Sequence, residues 1–259
     1  MALYDEIGVD YDTSRKADTE ITRRLKNHLQ ILDDSRILDV ACGTGNYTVA
    51  LSQLGLNMTG TDISEEMLNT ARDKSNQVVW DKADVLHLPY RDGEFSGATC
   101  ILAIHHFVDL LKAFQQVHRV LSQGRFVIFT SSPEQMERYW LKEYFPRAMM
   151  AACNQMPKVS DVVDNLKAVG FKIVGLETFL IQPTLQDFFL YSGKFNPSIY
   201  LNPKVRAGIS TFASLASQEE IDTGCSRLKA DIENGRISEI LDHYSSDFGD
   251  YSFVVAEKR

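Results

Sequence analysis

The chain has 259 residues, of which 44% are hydrophobic and 24% are charged. These proportions are ordinary for a globular protein and exclude a fibrous or disordered chain. The length suits one large α/β domain, or one domain that carries a substantial insertion. The formal net charge of −8 at pH 7 repels phosphate backbones and acidic lipid surfaces, so we expect neither a nucleic acid nor a membrane surface as the partner.

The four cysteines are distant from one another and form no Cys-x-x-Cys pair, so we expect no metal site. Residues 3–20 are polar and acidic, unlike a signal peptide, and no stretch of ~18 apolar residues follows them. We therefore expect a cytoplasmic protein without a membrane-inserted segment. The sequence leaves both a monomer and a homodimer open.

Helical and strand patterns alternate over the first 179 residues. A leading helix is predicted over 18–32, where Ile21, Leu25 and Leu29 recur at helical spacing behind a capping Asp18. Strands are predicted over 36–42, 56–62, 77–84, 97–105, 124–132 and 171–179. Helices are predicted between them over 46–55, 64–74, 110–121 and 160–170. This alternation predicts a parallel sheet with helices on both faces.

The alternation stops after residue 179, and a long, largely helical stretch precedes a last strand over 251–258. A connection of that length is either a functional cap or a small helical subdomain. We therefore predict two units. The first is a ligand-binding domain formed by 1–179 together with 250–259 and interrupted by an insertion at 133–158, and the second is a helical cap at 180–249.

A glycine-containing turn follows the first strand. The segment Leu38–Gly45 runs from apolar residues through Gly43 and Gly45 into a helix. Glycine lets the backbone approach a ligand with no Cβ between them, and the N–H groups and dipole at a helix start attract an anion. We therefore expect an anionic group of a ligand at this turn.

Two carboxylates stand at the ends of the next two strands. Asp62 is placed to accept hydrogen bonds from both hydroxyls of a ribose. Asp84, followed by Val85, suits the exocyclic amino group of adenine, and Ile63 and Met67 suit the faces of its ring. Each feature alone has a structural alternative, namely a tight loop at the glycines, a helix cap at Asp62 and a turn at Asp84. Together they favour a ligand that contains a nucleoside.

The segment Leu38–Gly45 resembles the glycine-rich motif of class I methyltransferases that use S-adenosylmethionine (SAM), in particular the group similar to the ubiquinone and menaquinone biosynthesis methyltransferases. Further matches are Asp-Ile-Ser-x-x-Met at 62–67, Ala-Asp-Val-x-x-Leu-Pro at 83–89 and Ala-Ile-His-His at 103–106. The resemblance covers roughly residues 4–132 and the last strand. It implies a Rossmann-like, mostly parallel sheet of seven strands with helices on both faces, an antiparallel last strand and a helical cap insertion.

The resemblance also implies which residues bind SAM. Those residues are Tyr11, Arg15, Asp39, Ala41, Gly43, Thr44, Gly45, Asp62, Ile63, Met67, Asp84, Val85 and Ala103. Asp39 and the turn hold the methionyl part, while Tyr11 and Arg15 fold over the cofactor and Arg15 pairs with its carboxylate. The sequence departs from the family pattern at Ala41, where a glycine is usual, and at 122–124, where Ser-Gln-Gly replaces Pro-Gly-Gly.

Two adjacent histidines, His105 and His106, follow the fourth strand at the edge where ligands bind in such sheets. Methyl transfer requires the acceptor to lie in line behind the methyl group, in a pocket poor in water. A base helps when the acceptor is a hydroxyl, a protonated amine or an acidic carbon. We predict that these histidines are catalytic through proton transfer. The alternative is that His105 packs against the cofactor or bonds to the backbone.

Aromatic residues are frequent in the two segments that flank the sixth strand. We predict that Tyr139, Trp140 and Tyr191 contact an apolar substrate. The alternative is that they form the core of the helical cap. Neither interpretation identifies the acceptor or its attacking atom, which is oxygen, nitrogen or carbon.

The leading hypothesis is therefore an enzyme that transfers a methyl group from SAM to a small molecule and releases S-adenosylhomocysteine. One alternative is a non-catalytic regulatory protein that binds SAM, since a fold does not determine a function. An NAD-dependent dehydrogenase shares the strand, the turn and the ribose carboxylate. It requires Gly-x-Gly-x-x-Gly, however, and Thr48 stands at the third glycine position.

Overall fold

The computed structural model describes residues 14–31 and 35–259. Seven strands form one sheet in the order β3-β2-β1-β4-β5-β7-β6, and β7 is antiparallel to both of its neighbours. The strands are β1 (Arg36–Val40), β2 (Asn57–Asp62), β3 (Val79–Lys82), β4 (Phe95–Ile101), β5 (Leu121–Thr130), β6 (Lys172–Phe179) and β7 (Tyr251–Lys258). The predicted fold class, including the antiparallel last strand, is confirmed.

The helices of the described residues connect and cover these strands. They are α1 (Thr19–Leu29), α2 (Asn46–Gln53), α3 (Glu65–Lys74), α4 (Leu110–Val120), α5 (Pro133–Met136), α6 (Pro146–Gln155), α7 (Val159–Ala168), α8 (Pro203–Ala207), α9 (Gln218–Glu233) and α10 (Ile237–His243). Asp18 caps α1, as predicted, and Ser64 caps α3. None of these helices combines the length and apolar character that crossing a bilayer requires.

The sheet is buried on both faces. Along β5, Val127 and Phe129 pack into the hydrophobic cluster that contains α1, α2 and most of the cap residues. Phe126 and Ile128, which alternate with them, pack into the cluster that contains α4 and α7. Because successive side chains of a strand point to opposite faces, this alternation requires an apolar layer on each side.

The start of β5 differs from the prediction. Residues 122 and 123, which precede the strand predicted over 124–132, lie inside β5, which begins at Leu121. The pairing of β4 with β5 shifts between Phe95 and Gly97, so an irregular pair of strands stands in place of a free turn. Gly124 fits there because it has a φ of +117° and no Cβ.

The two segments that interrupt the alternation, 133–158 and 180–249, pack on each other, and we call them together the cap. The carboxylate of Glu220 in α9 accepts hydrogen bonds from the backbone N–H groups of Arg147 (2.7 Å) and Ala148 (3.2 Å) at the start of α6. The rings of Phe145 and Phe212 meet edge to face at 4.9 Å. The predicted division into two domains stays a prediction, but the insertion at 133–158 contacts the second unit directly.

The start of α9 shows why Glu220 has this role. Ser217 caps the helix, as its Ser-x-x-Glu spacing predicts, and its Oγ accepts from the N–H of Glu220 at 3.2 Å. The side chain of Glu220 extends to α6, where it satisfies two N–H groups that have no partner within their own helix. The first turn of α9 therefore provides the hydrogen-bond acceptor for the N-terminus of α6, which lies in the other segment of the cap.

Substitution of Gly124 by alanine should destabilise the protein strongly. A Cβ at this position would lie 2.1 Å from the backbone oxygen of Ser96, so β4 and β5 would have to separate locally. We expect the free energy of unfolding in urea to fall by about 3 kcal/mol or more. The control is Gly55→Ala, since Gly55 has a φ of +90° and open space around a Cβ; its cost should stay near 1 kcal/mol. Equal losses in the two variants would contradict the steric explanation.

Candidate functional site

Three carboxylates meet at the carboxyl edge of the sheet. Asp39 in β1, Asp62 at the end of β2 and Asp84 just after β3 all line one cavity of about 280 Å³, which we call the large cavity. They come together because β1, β2 and β3 are neighbouring parallel strands that end at the same edge. The sequence predicted this convergence.

The turn after β1 places three residues in left-handed backbone conformations. Ala41, Gly43 and Gly45 have φ values of +55°, +56° and +74°. Alanine adopts this region at a cost, which explains why glycine is usual at the position of Ala41. A Cβ on Gly45 would lie 2.3 Å from the ring of Trp80, so glycine is required there for packing as well.

The side chain of Lys74 supports the same turn from α3. Its Nζ donates to the backbone oxygen of Thr44 (2.8 Å) and to Oδ1 of Asn46 (2.7 Å), the first residue of α2. The N-cap of α2 is Gly45, which has no side chain to bond to the helix start. The N-terminus of α2 is therefore held from outside by a cation in a neighbouring helix.

The carboxylate of Asp39 is buried and connects three elements. Its Oδ2 accepts from the hydroxyl of Thr48 in α2 (2.5 Å), and its Oδ1 accepts from the hydroxyl of Thr99 in β4 (2.7 Å). Burial raises the pKa of Asp39 to about 6, and the two hydroxyls partly offset that effect. Asp39 therefore fixes the turn in place as well as lining the cavity.

Asp62 and Asp84 are held by backbone N–H groups. Asp62 accepts from the N–H of Gly43 at Oδ2 and from the N–H of Ser64 at Oδ1, both at 2.9 Å. Asp84 accepts from the N–H of Leu86 at 2.9 Å. The structural alternatives for these residues thus hold in part, because Asp84 caps a short 3₁₀ turn and Asp62 joins two turns. Both still line the large cavity.

Apolar side chains complete the wall near these carboxylates. Ile63, Met67, Val85 and Ala103, all predicted cofactor residues, line the large cavity. Ile63 is 56% exposed although it is a large apolar side chain. A flat ring bound beside it would remove that surface from water. Of the predicted cofactor set, Gly45 supports the turn without lining the cavity, and Tyr11 lies outside the described residues.

Sequence reasoning missed a residue of the cap at this site. Asp187 lines the large cavity and is 1% exposed. It accepts from Nε and Nη2 of Arg15 at 2.6 and 3.2 Å, and from the hydroxyl of Tyr47 at 3.1 Å. Asp187 belongs to no recognisable motif and is far from Arg15 in the chain, so no signal in a single sequence identifies it.

A second cavity of about 80 Å³, which we call the small cavity, lies between the sheet edge and the cap. Leu102 and Arg15 line both cavities, so the two are adjacent. Leu102 has a φ of +55°, which is a strained conformation for a branched side chain. Its N–H donates to the backbone oxygen of Phe129 at 2.8 Å, which holds it at the boundary.

The two histidines that the sequence predicted line different cavities. His106 lines the large cavity and His105 lines the small cavity, with their ring centroids 3.9 Å apart. Burial lowers the pKa of His105 to about 3, with the neighbouring His106 adding to the effect. His106 is exposed but stands in a cavity walled by protein, and the partial loss of solvent lowers its pKa to about 4. Both imidazoles are therefore neutral near pH 7.

The aromatic residues predicted to contact substrate are core residues of the cap. Tyr139, Trp140 and Tyr191 are each at most 3% exposed, and none lines either cavity. The rings of Tyr139 and Tyr191 stack at 4.0 Å. Phe189 and Tyr251 are the aromatic residues that line the small cavity. The alternative of a packed cap core therefore accounts for the first three rings.

Comparison with known proteins identifies related sequences. A family model described as a methyltransferase domain matches residues 38–129. The chain is similar to 27-O-demethylrifamycin SV methyltransferase of Amycolatopsis mediterranei, with 31% identity over 43% of this chain and 44% of that protein. It is also similar to demethylmenaquinone methyltransferase of Thermus thermophilus, with 31% identity over 57% of this chain and 73% of that protein. The chain thus spans less than half the length of the first of these relatives.

A solved structure matches nearly the whole chain. It is that of a protein from Anabaena variabilis assigned as a methyltransferase to an antibiotic biosynthesis pathway. The sequence identity is 32%, the TM-score is 0.84, and the match covers 93% of this chain and 98% of that one. The likeness therefore includes the cap as well as the sheet.

The buried carboxylate at the end of β1 predicts a specific pH dependence of stability. The pKa of Asp39 is about 6 in the folded protein, against an ordinary value of 3.8. The unfolded chain therefore loses this proton first as the pH rises, and the folded state loses stability between about pH 4 and pH 6. For Asp39→Asn, which stays neutral, the unfolding free energy relative to wild type should rise by about 2 kcal/mol between pH 4 and pH 7.

Urea unfolding of the ligand-free protein at the two pH values measures this difference. Asp92→Asn is the control, because Asp92 is an exposed carboxylate (80%) and the same substitution there should give no comparable change with pH. An Asp39→Asn difference that does not vary with pH would contradict the assignment of a buried, partly protonated carboxyl group.

Proposed function

Because this chain belongs to the class I SAM-dependent methyltransferases, we propose that it transfers a methyl group from SAM to a small molecule held between the sheet and the cap. The single observation that carries the proposal is the convergence of Asp39, Asp62 and Asp84 on one cavity beside a second, smaller one. The family relationship depends on sequence and this convergence on geometry, and the two support the same ligand.

The residues of the large cavity fit the parts of SAM. Asp62, held by two backbone N–H groups, presents carboxylate oxygens suited to the ribose hydroxyls. Asp84 and Val85 suit the adenine edge, with Ile63 and Met67 against the ring. The left-handed turn and the start of α2 suit the methionyl part, and the space where Gly43 would carry a Cβ is open for at least 4 Å, so a ligand can approach the backbone. SAM supplies a methyl group bonded to a positively charged sulfur.

We assign the acceptor to the small cavity. Arg15 is its one charged lining residue among those described, and the other side chains are apolar, hydroxyl, amide or imidazole groups. Such a wall suits an uncharged molecule with an apolar body, because a buried cation would meet no carboxylate there. The relatives named for demethylmenaquinone and 27-O-demethylrifamycin SV support a small-molecule acceptor, and the net charge of −8 favours this over a nucleic acid. The attacking atom is oxygen, nitrogen or carbon.

Neutral histidines at this position accept hydrogen bonds, and they accept a proton when one is released. The Nδ1 atom of His105 is buried and has no hydrogen-bond partner, which leaves Nε2 as the nitrogen that can face a bound molecule. A methylated hydroxyl oxygen is a strong acid until it loses its proton, so a weakly basic imidazole is sufficient to remove it. We propose His106 and His105 as the residues that do so.

Two rival functions share parts of this site. A dinucleotide site requires a third glycine where Thr48 stands, and the Thr48 hydroxyl bonds to Asp39, which a glycine cannot do. A regulatory protein that binds SAM without turnover has the same large cavity, so only a reaction separates it from an enzyme. Incubation with methyl-labelled SAM and the small-molecule fraction of a cell extract, followed by mass spectrometry, makes that test. A labelled product supports the enzyme, and its absence with SAM bound supports the regulator.

Loss of the ribose carboxylate should weaken cofactor binding severely. Asp62→Ala removes the acceptor for two hydroxyls and removes the bonds that Asp62 accepts from the N–H groups of Gly43 and Ser64. We expect the affinity for S-adenosylhomocysteine, measured by isothermal titration, to fall by about 100-fold. Thermal unfolding of the free variant controls for misfolding. Normal binding by a folded Asp62→Ala protein would refute the ribose assignment.

The lowered pKa values of the two histidines predict a turnover rate that does not fall in mild acid. Their pKa values are lowered from 6.5 to about 3 and about 4, so protonation does not remove the base until the pH falls well below 6. With the acceptor found by the labelling experiment, turnover should not decline on a histidine titration between pH 8 and pH 6. His106→Gln should lower turnover by about 100-fold if the acceptor is a hydroxyl.

His118→Gln is the matched control. His118 lies in α4 against the ring of Phe171 and lines neither cavity, so its loss should leave turnover unchanged. The result that would contradict this prediction is a decline in wild-type turnover near pH 6.5 that is absent in His106→Gln. It would show that the surroundings do not keep the imidazole of His106 neutral.

A further inference from the structure

Asp187 is a buried carboxylate that the cap inserts into the wall of the large cavity. It forms an ion pair with Arg15 in which the two side chains are 1% and 12% exposed, and Tyr47 of α2 donates to the same carboxylate. These three residues line the cavity together with the start of α2. They therefore stand at the end of the cavity nearest the turn after β1, where the methionyl part of SAM is expected.

Four carboxylates line the large cavity among the described residues, and three have other roles. Asp62 and Asp84 follow β2 and β3, on the ribose and adenine side. Asp39 has each of its oxygens bonded to a threonine hydroxyl. Asp187 is the remaining carboxylate, and it lies in an ion pair with Arg15 at 2.6 Å.

The amino acid end of SAM carries one ammonium and one carboxylate group. Arg15 and Asp187 offer the opposite charges side by side in a partly desolvated wall. A carboxylate has about four acceptor positions, and the contacts with Arg15 and Tyr47 occupy three of those on Asp187. One position therefore remains for a further N–H donor.

We propose that Asp187 binds the α-ammonium group of SAM and, by doing so, attaches the amino acid end of the cofactor to the cap. This inference rests on the proposed function and adds a binding residue outside the glycine-rich motif. Charge-assisted hydrogen bonds of this kind are stronger than neutral ones and are specific in direction. The ammonium group is thereby recognised by the cap and the adenosine by the sheet.

The segment around Asp187 is hydrogen-bonded to the residues that precede α1. The N–H of Gln186 donates to Oδ2 of Asp18 (3.1 Å), and the N–H of Phe188 donates to the backbone oxygen of Ser14 (3.1 Å). Both bonds flank the Asp187–Arg15 ion pair. A ligand that engages Asp187 therefore contacts a segment of the cap that is itself bonded to the residues before α1.

Isothermal titration with three ligands tests the proposal without knowledge of the acceptor. The ligands are S-adenosylhomocysteine, its analogue without the α-amino group, and 5′-methylthioadenosine, which lacks the whole amino acid end. Wild-type protein should bind S-adenosylhomocysteine about 10-fold or more tightly than the des-amino analogue. Asp187→Asn should lose most of this difference while its affinity for 5′-methylthioadenosine stays within about 3-fold of wild type.

Asp250→Asn is the matched control. Asp250 is also a buried carboxylate, paired with Lys194 at 2.6 Å, and it also joins the cap to the sheet, but it lines neither cavity. It should preserve the wild-type preference for the amino group whatever its effect on stability. An Asp187→Asn variant that binds all three ligands more weakly by one common factor would overturn the proposal.

The wild-type titrations decide the matter even if Asp187→Asn does not fold. Equal affinity for S-adenosylhomocysteine and its des-amino analogue would overturn the role of Asp187 and leave the proposed function intact. Failure of wild-type protein to bind either S-adenosylhomocysteine or 5′-methylthioadenosine would instead refute the proposed function, and this inference with it.

Discussion

The buried carboxylate of Asp39 holds the ligand-binding edge together. Its two oxygens join the end of β1 to Thr48 in α2 and to Thr99 in β4, which fixes the angle at which the helix leaves the turn. The same turn presents the N–H of Gly43 to Asp62 at the end of β2. A charged group in an apolar interior is costly, and the raised pKa of Asp39 records this cost. The protein retains it because one rigid acceptor aligns three elements at the cavity.

Backbone strain is concentrated at the same edge. Three non-glycine residues have a positive φ within 14–31 and 35–259, and two of them, Ala41 and Leu102, line the large cavity. Each follows a strand directly, where the chain must reverse its direction within a few residues. Such conformations persist only where neighbours determine them, as the bond from Leu102 to Phe129 does in the sheet. The strain places Leu102 between the two cavities, where a donor and an acceptor would meet.

The cap completes a site that the sheet only begins. The glycine turn and the strand-end carboxylates form the part of the large cavity that suits adenosine, whereas Asp187 reaches it from the cap. The small cavity is walled on one side by the sheet edge and on the other by α5, α6 and the residues near 189 and 208–215. The shape of the proposed acceptor site therefore depends on helices that pack on one another, as the contacts of Glu220 with α6 illustrate.

The sequence by itself determined the order and type of the elements, the three convergent carboxylates and the position of both histidines, because these follow from local periodicity and from the geometry of parallel strands. Only the tertiary structure decided which cap residues reach the cavities. Tyr139, Trp140 and Tyr191 turned inward to form the core of the cap, and Asp187 turned toward Arg15. Helical segments of similar composition pack in many ways, and the choice among them depends on contacts between residues distant in the chain, which no local pattern records.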